Sequence, residues 1–156
     1  MKSSLKFATV PLALLSMACN NTSTDTAPGG PVSIAITQAL TGQTTSAGSF
    51  QMTGALADRG ATTESLVFGG PLEQSPVPLT FRRQLTGADG DLVITGAASL
   101  TFSSATAATL AGTWTVESAT GKYAGYAGTG TLSGNANFGA TPPTAALTYA
   151  GTLAKP

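Results

Sequence analysis

The sequence predicts an all-β protein made of a single antiparallel eight-stranded β-barrel. Three observations support this prediction. Apolar residues alternate with polar ones along eight segments, turn-forming residues separate these segments, and no segment repeats its apolar residues at helical spacing. Short links between strands favour antiparallel neighbours, for which a sandwich is the alternative to a barrel. A closed barrel is favoured because closure removes the exposed sheet edges that promote aggregation.

Eight sets of alternating apolar residues define the strands in chain order. The opposite faces carry mainly Ser, Thr, Gln, Asn and Ala, so the apolar sets are expected to face inward. Glycine, proline and aspartate mark turns at residues 41–42, 58–60, 69–71, 87–90, 119–122 and 141–143. The apolar sets are Val32, Ile34, Ile36 and Leu40; Phe50, Met52 and Leu56; Leu66 and Phe68; Val77, Leu79, Phe81 and Leu85; Leu92, Ile94, Leu100 and Phe102; Leu110, Trp114 and Val116; Leu132 and Phe138; and Leu147, Tyr149 and Leu153.

Small residues share the inward positions with these bulky ones. Inward glycines allow barrel strands to coil and turn corners, which is a packing role. Small inward side chains also leave volume, and an eight-stranded barrel can hold one small ligand. The sequence leaves both interpretations open for Gly54, Gly96, Ala98, Gly112, Gly134, Ala136, Ala145 and Gly151.

Composition excludes several functions. The 156 residues suffice for one domain, only 9% of them are charged, and the net charge is zero. Without a basic patch, nucleic acid is not an expected partner. The chain has no histidine, so it lacks the commonest general base and metal ligand and every Ser-His-Asp arrangement. Asp89 and Asp91 flank Gly90 without the remaining ligands of a calcium loop, so no metal and no cofactor are expected.

Residues 1–18 are predicted to be a signal peptide. Lys2 and Lys6 precede a short apolar run at residues 7–17, which is too short to span a bilayer. Ala18 then precedes the only cysteine, Cys19, in an arrangement that resembles the bacterial lipobox, whose cysteine receives a diacylglycerol. The alternative is ordinary secretion with cleavage near Ala18. The expected location is therefore the bacterial cell envelope, periplasmic or at the surface, with membrane contact through the lipid anchor only, or else the secreted fraction.

The remaining chain divides into a tether and a domain. Residues 19–31 contain no apolar side chain larger than alanine or proline apart from Cys19, so they are expected to form a flexible tether. Residues 32–156 are expected to form the barrel. A single cysteine so close to the predicted cleavage site cannot cross-link this domain, so no disulfide is expected.

A family resemblance lies in the segment GTWTVESATGKYAGYAGTGTLSG, residues 112–134. A G-x-W strand followed by a glycine-rich turn with Tyr-Ala-Gly resembles the allene oxide cyclase/dirigent-like β-barrel family in its bacterial secreted members. The upstream segment FRRQLTGADGDLVITG, residues 81–96, is similar to that family's strand-turn-strand unit. The resemblance covers residues 81–138 well and residues 32–70 by strand pattern only. It implies an allene oxide cyclase-like, or calycin-like, barrel.

The resemblance also implies a hydrophobic small molecule as partner. Allene oxide cyclases close an unsaturated fatty-acid epoxide and dirigent proteins steer the coupling of phenolic radicals, in both cases at the barrel interior or mouth. None of their functional residues can be matched to this chain. One hypothesis is therefore a barrel that binds a small apolar ligand, or serves a structural role, without catalysis. The alternatives are an isomerase or cyclase acting on a lipid-like or phenolic substrate, and a homo-oligomer that packs through outward alanines (Ala35, Ala55, Ala97, Ala111 and Ala146).

Five residues are candidates for ligand binding: Arg83, Gln38, Tyr149, Trp114 and Tyr123. Strict alternation from Phe81 places Arg83 inside, where a guanidinium needs a carboxylate partner or a ligand's anion. A bulge or a position at the rim would instead return Arg83 to solvent. Gln38 shares the apolar face of its strand. Tyr123 has two interpretations, contact with a ligand or closure of a barrel end.

Overall fold

The computed structural model describes residues 29–156. They form a closed antiparallel barrel in which each strand pairs with the next and β8 pairs with β1. The predicted fold class is therefore confirmed. The strands are β1 (Gly29–Leu40), β2 (Thr45–Gly54), β3 (Asp58–Phe68), β4 (Val77–Gly87), β5 (Asp91–Phe102), β6 (Ala107–Ala119), β7 (Ala127–Asn137) and β8 (Thr144–Ala154), and one 3-10 turn, Gly121–Tyr123, precedes β7.

Alternation along the strands fills the interior as predicted. In β4, the odd-numbered positions from Val77 to Leu85 are buried and the residues between them are exposed. Trp114, Phe81 and Tyr149 lie in the same core. Arg83 occupies one of the odd-numbered positions, so the interpretation that a bulge or the rim returns it to solvent was wrong. In the part of the chain that the structure describes, no helix is long and apolar enough to cross a membrane.

Near the middle of the barrel, neighbouring aromatic rings fill the space that a side chain would need at the inward glycines. A Cβ atom on Gly96 would lie 2.6 Å from Cζ of Phe81, and one on Gly151 would lie 2.6 Å from Cζ2 of Trp114. Such distances are far below van der Waals contact, and the backbone carbonyl oxygens of Thr113 and Thr129 would lie closer still. Only glycine therefore leaves room at these positions for the large rings and the neighbouring strand. The packing interpretation therefore holds at these two positions.

The boundaries of several strands differ from those predicted. Leu56 and Phe138, which were assigned to strands by their spacing, lie in the loops that follow β2 and β7. β1 begins at Gly29 rather than at Val32, because residues 29–31 continue the pairing with β8. The predicted turn at residues 58–60 was wrong, since β3 begins at Asp58 and the chain turns at residues 55–57. Asp58 pairs with Met52 of β2 and Gly60 pairs with Gly87 of β4, so sheet pairing on both sides overrides the local turn preference. The predicted signal peptide and Cys19 lie outside the described residues.

The two ends of the barrel differ. The end where β1 begins, called here the closed end, carries the loops at residues 55–57, 88–90 and 120–126. Tyr123 and Tyr126 from the last of these loops are buried there. The opposite end, called the open end, carries the loops at residues 41–44, 69–76, 103–106 and 138–143. Ala35, Ala97, Ala111 and Ala146 are exposed on the barrel wall, whereas Ala55 is exposed in the loop that follows β2. Self-association through these alanines stays a prediction.

Candidate functional site

A cluster of polar side chains is buried in the barrel interior. We call it the lumenal cluster, and five neighbouring strands, β8 and β1–β4, contribute to it. Each member stands at an inward position of its strand, so alternation alone directs these polar groups into the core. The members are Gln38, Ser46, Thr62, Glu64, Arg83 and Tyr149.

Arg83 is the centre of the lumenal cluster. Its Nη2 lies 2.6 Å from Oε1 of Glu64, which forms a buried ion pair, and the two residues are direct cross-strand neighbours. The guanidinium also donates from Nη2 to Oε1 of Gln38 (2.6 Å), from Nη1 to Oγ1 of Thr62 (3.0 Å) and from Nε to the hydroxyl oxygen of Tyr149 (3.0 Å). The carboxylate predicted for a buried Arg83 is therefore supplied by the protein itself.

Glu64 is also positioned by hydrogen bonds from neighbouring side chains. Its Oε2 accepts a hydrogen bond from Nε2 of Gln38 (2.9 Å) and another from the hydroxyl of Ser46 (3.0 Å). Glu64, Ser46 and Thr62 are not among the candidates that the sequence predicted. The signal was present, because Glu64 shares the parity of Leu66 in the same strand.

Tyr149 joins the lumenal cluster to the aromatic core. Burial raises the pKa of its phenol to about 12; the positive charge of Arg83 opposes this shift, and the negative charge of Glu64 adds to it. The phenol is therefore neutral at physiological pH. Its ring meets Phe81 edge-on at 5.8 Å between centroids and lies 6.4 Å from Trp114, so both rings fix its position.

A cavity of about 60 Å³ lies between the lumenal cluster and the open end. Gln38 and Glu64 form its polar floor, and Glu64 is the one ionisable side chain among its described lining residues. Ala136 and Ala145, two of the small inward residues, leave part of this space. Around the entrance stand half-buried apolar side chains, which we call the apolar mouth: Leu40, Leu66, Phe68, Leu110 and Phe138.

The structure brings three of the five predicted candidates together. Gln38 lines the cavity, and Arg83 and Tyr149 contact each other within the lumenal cluster. Trp114 is buried but does not line the cavity, and its Nε1 donates to the carbonyl oxygen of Thr131 at 3.1 Å. Tyr123 lies at the closed end, away from the cavity.

Tyr123 is tied to Asp58 at the closed end. Its hydroxyl donates to Oδ2 of Asp58 at 2.6 Å, and the same carboxylate accepts from the backbone N–H groups of Arg59, Ala88 and Asp89. Burial acts to raise the pKa of Asp58, but these four hydrogen bonds together outweigh burial and lower it. Burial, together with the bond to Asp58, raises the pKa of Tyr123 well above its usual value. These contacts match closure of the barrel end rather than contact with a ligand in the cavity.

Neither a metal site among the described residues nor a known relative identifies this barrel. Among residues 29–156, no group of three or more acidic or cysteine side chains is placed to hold a metal ion. The resemblance to the allene oxide cyclase/dirigent-like family stays a prediction. Comparisons with family models, with curated proteins and with solved structures found no match to this chain.

Proposed function

We propose that this barrel binds a small apolar molecule, which enters end-first through the apolar mouth and leaves chemically unchanged. The observation that carries the proposal is the cavity between the apolar mouth and the lumenal cluster. Typical ligand pockets measure about 300–1,000 Å³, whereas this cavity measures about 60 Å³. Only one end of a ligand fits inside it, and the rest would lie among the side chains of the mouth.

The exposure of the apolar mouth supports this proposal. Leu66, Phe68 and Phe138 are only half buried although they are large and apolar, and they stand together around one opening. Contiguous apolar surface of this kind is typical of binding sites. A ligand that covers it would remove apolar area from water at about 25 cal/mol per Å².

The first test uses native mass spectrometry of the protein purified from its own host, followed by binding measurements with a panel of fatty acids, alcohols and phenols. Ala145→Leu should abolish binding because the larger side chain occupies the cavity. The matched control is Ala146→Leu, whose side chain lies on the outer face of the same strand and should leave binding unchanged. An empty barrel that no compound stabilises against heating would contradict the proposal.

A second candidate function is isomerisation or cyclisation of a hydrophobic substrate. It is favoured by the ion pair of Arg83 and Glu64, which places an ionisable group on the cavity floor. Binding without turnover is the better-supported function, because Glu64 is tied to Gln38, Ser46 and Arg83 and no second ionisable side chain stands beside it among the described residues that line the cavity. A product formed by the native protein but not by Glu64→Gln would favour the enzyme.

We further propose that Cys19 carries a lipid and holds the protein in the cell envelope. The support is the sequence at residues 14–19 and its resemblance to a lipobox. Since β1 begins at the closed end, the segment that leads from Cys19 joins the barrel at the end opposite the apolar mouth. Cys19→Ala should move the protein from the membrane fraction to the soluble fraction. Unchanged membrane association would contradict acylation.

A further inference from the structure

We infer that the polar group of the ligand is a neutral hydrogen-bond donor, such as the hydroxyl of an alcohol, and not a carboxylate or an ammonium group. This inference rests on the proposed function, because it concerns the end of the ligand that reaches the cavity floor. It follows from the hydrogen-bonding capacity and the charge balance of the two residues that form this floor, Gln38 and Glu64.

The hydrogen-bonding capacity of the floor favours a donor. A carboxylate only accepts hydrogen bonds, and each of its oxygens accepts about two. Oε2 of Glu64 already accepts hydrogen bonds from Gln38 and Ser46, whereas Oε1 is in contact with the guanidinium of Arg83 alone. Gln38 Nε2 in turn gives one of its two hydrogens to Glu64, so its other hydrogen is left for a ligand. A hydroxyl, which both donates and accepts, matches the acceptor position on Oε1 and this remaining amide hydrogen.

The charge balance of the floor disfavours an anionic ligand. Within residues 29–156, Arg83 is the only cation paired with Glu64. Its exposed fraction is 0%, and it does not line the cavity. A ligand carboxylate would therefore approach the negative Glu64 without reaching a free positive group. Burying a charge without a partner is costly, so the anion should stay outside.

The same balance disfavours a cationic ligand. An ammonium group would meet Glu64, but the charge of Glu64 is already neutralised by Arg83 at 2.6 Å. The added positive charge would be close to Arg83 and would lose its hydration on entry. A neutral hydroxyl avoids both costs and leaves its alkyl chain among the side chains of the apolar mouth.

The inference can be tested with three molecules of equal chain length: octanol, octanoate and octylamine. Their affinities for the full-length protein would be measured at neutral pH by isothermal titration calorimetry. Octanol should bind more tightly than either ion by on the order of tenfold or more, because only the ions bring an unpaired charge into the cavity. Ala145→Leu should remove binding of octanol, and Ala146→Leu should not, which locates the measured binding in the cavity.

The outcomes separate the inference from the proposed function. If octanoate or octylamine binds in the cavity as tightly as octanol or more tightly, the inference is wrong and the proposed function stands. If none of the three binds, and no other apolar compound does, both are wrong.

Glu64→Gln gives a second, independent measurement. It keeps the size of the side chain but leaves Arg83 as an unpaired cation beneath the cavity, so octanoate should gain affinity relative to octanol by about tenfold or more. Circular dichroism and the fluorescence of Trp114 would establish that the variant is folded. An unchanged preference for octanol in the folded variant would contradict the role given to charge. The comparison of the three molecules on the native protein decides the inference if the variant does not fold.

Discussion

Arg83 shows how one residue determines the interior of this barrel. Its exposed fraction is 0%, and all three of its guanidinium nitrogens have hydrogen-bond partners in the lumenal cluster. A buried ion pair of this kind adds little to stability compared with apolar residues of the same volume, but removing one partner leaves an uncompensated charge. Substitution of a single member of the lumenal cluster should therefore cost more stability than the intact ion pair contributes.

Removal of Glu64 should destabilise the protein strongly. Glu64→Ala leaves Arg83 buried without its carboxylate, and the expected loss is about 3–5 kcal/mol in the free energy of unfolding. The control is Glu117→Ala, which breaks the exposed ion pair with Arg82 and should cost less than about 1 kcal/mol. Urea denaturation of both variants measures the difference, and equal losses would contradict the buried pairing.

The acid side of the stability curve should depend on Asp58. Its pKa is lowered in the folded protein relative to the ordinary value of 3.8, so the unfolded chain binds the proton more readily. The contribution of Asp58 is therefore fully present above pH 3.8 and is lost as the pH falls through the lower folded pKa. Asp58→Asn should lower stability at neutral pH, and its difference from the native protein should shrink in acid. A difference that stays constant with pH would contradict this assignment.

At the scale of strands, the sequence predicted the number and order of the strands correctly but not all of their first and last residues. Eight segments of alternating apolar residues correspond to the eight strands, because one face of each strand is buried. The start of β3 was missed because Asp58-Arg59-Gly60 has the composition of a turn. Glu64 was missed for a different reason. A charged residue is expected to face solvent unless it has a buried partner, and its pairing with Arg83 depends on the register between β3 and β4.

The packing of the core requires small residues at some inward positions as strictly as it requires large ones at others. Gly151→Ala should destabilise the barrel by about 1–3 kcal/mol, because the added Cβ would clash with the backbone carbonyl oxygen of Thr129 and would lie 2.6 Å from the ring of Trp114. Gly70→Ala is the control, since the nearest atom to its added Cβ is 3.9 Å away on a flexible glutamine, and its effect should be small. Thermal unfolding measures both. A neutral Gly151→Ala variant would show that the core is not packed as described.

At the scale of the whole molecule, the barrel has one sealed end and one accessible end. Tyr123 and Asp58 close the end at which β1 begins, while the apolar mouth opens above Gln38 and Glu64 at the other end. This difference follows from the loops, because the 3-10 turn before β7 places Tyr123 at the sealed end. Apolar alternation predicted the wall of the barrel. It could not predict which end would be open, because that depends on how the loops pack.

The most direct test of this account is a nuclear magnetic resonance titration of the native protein with octanol. The side-chain amide of Gln38, on the cavity floor, should shift as octanol is added, and Ala145→Leu should remove the shift. The indole N–H of Trp114, which donates to Thr131 and does not line the cavity, should shift far less. Shifts confined to the outer wall of the barrel, or shifts that persist in Ala145→Leu, would contradict a binding site beneath the apolar mouth.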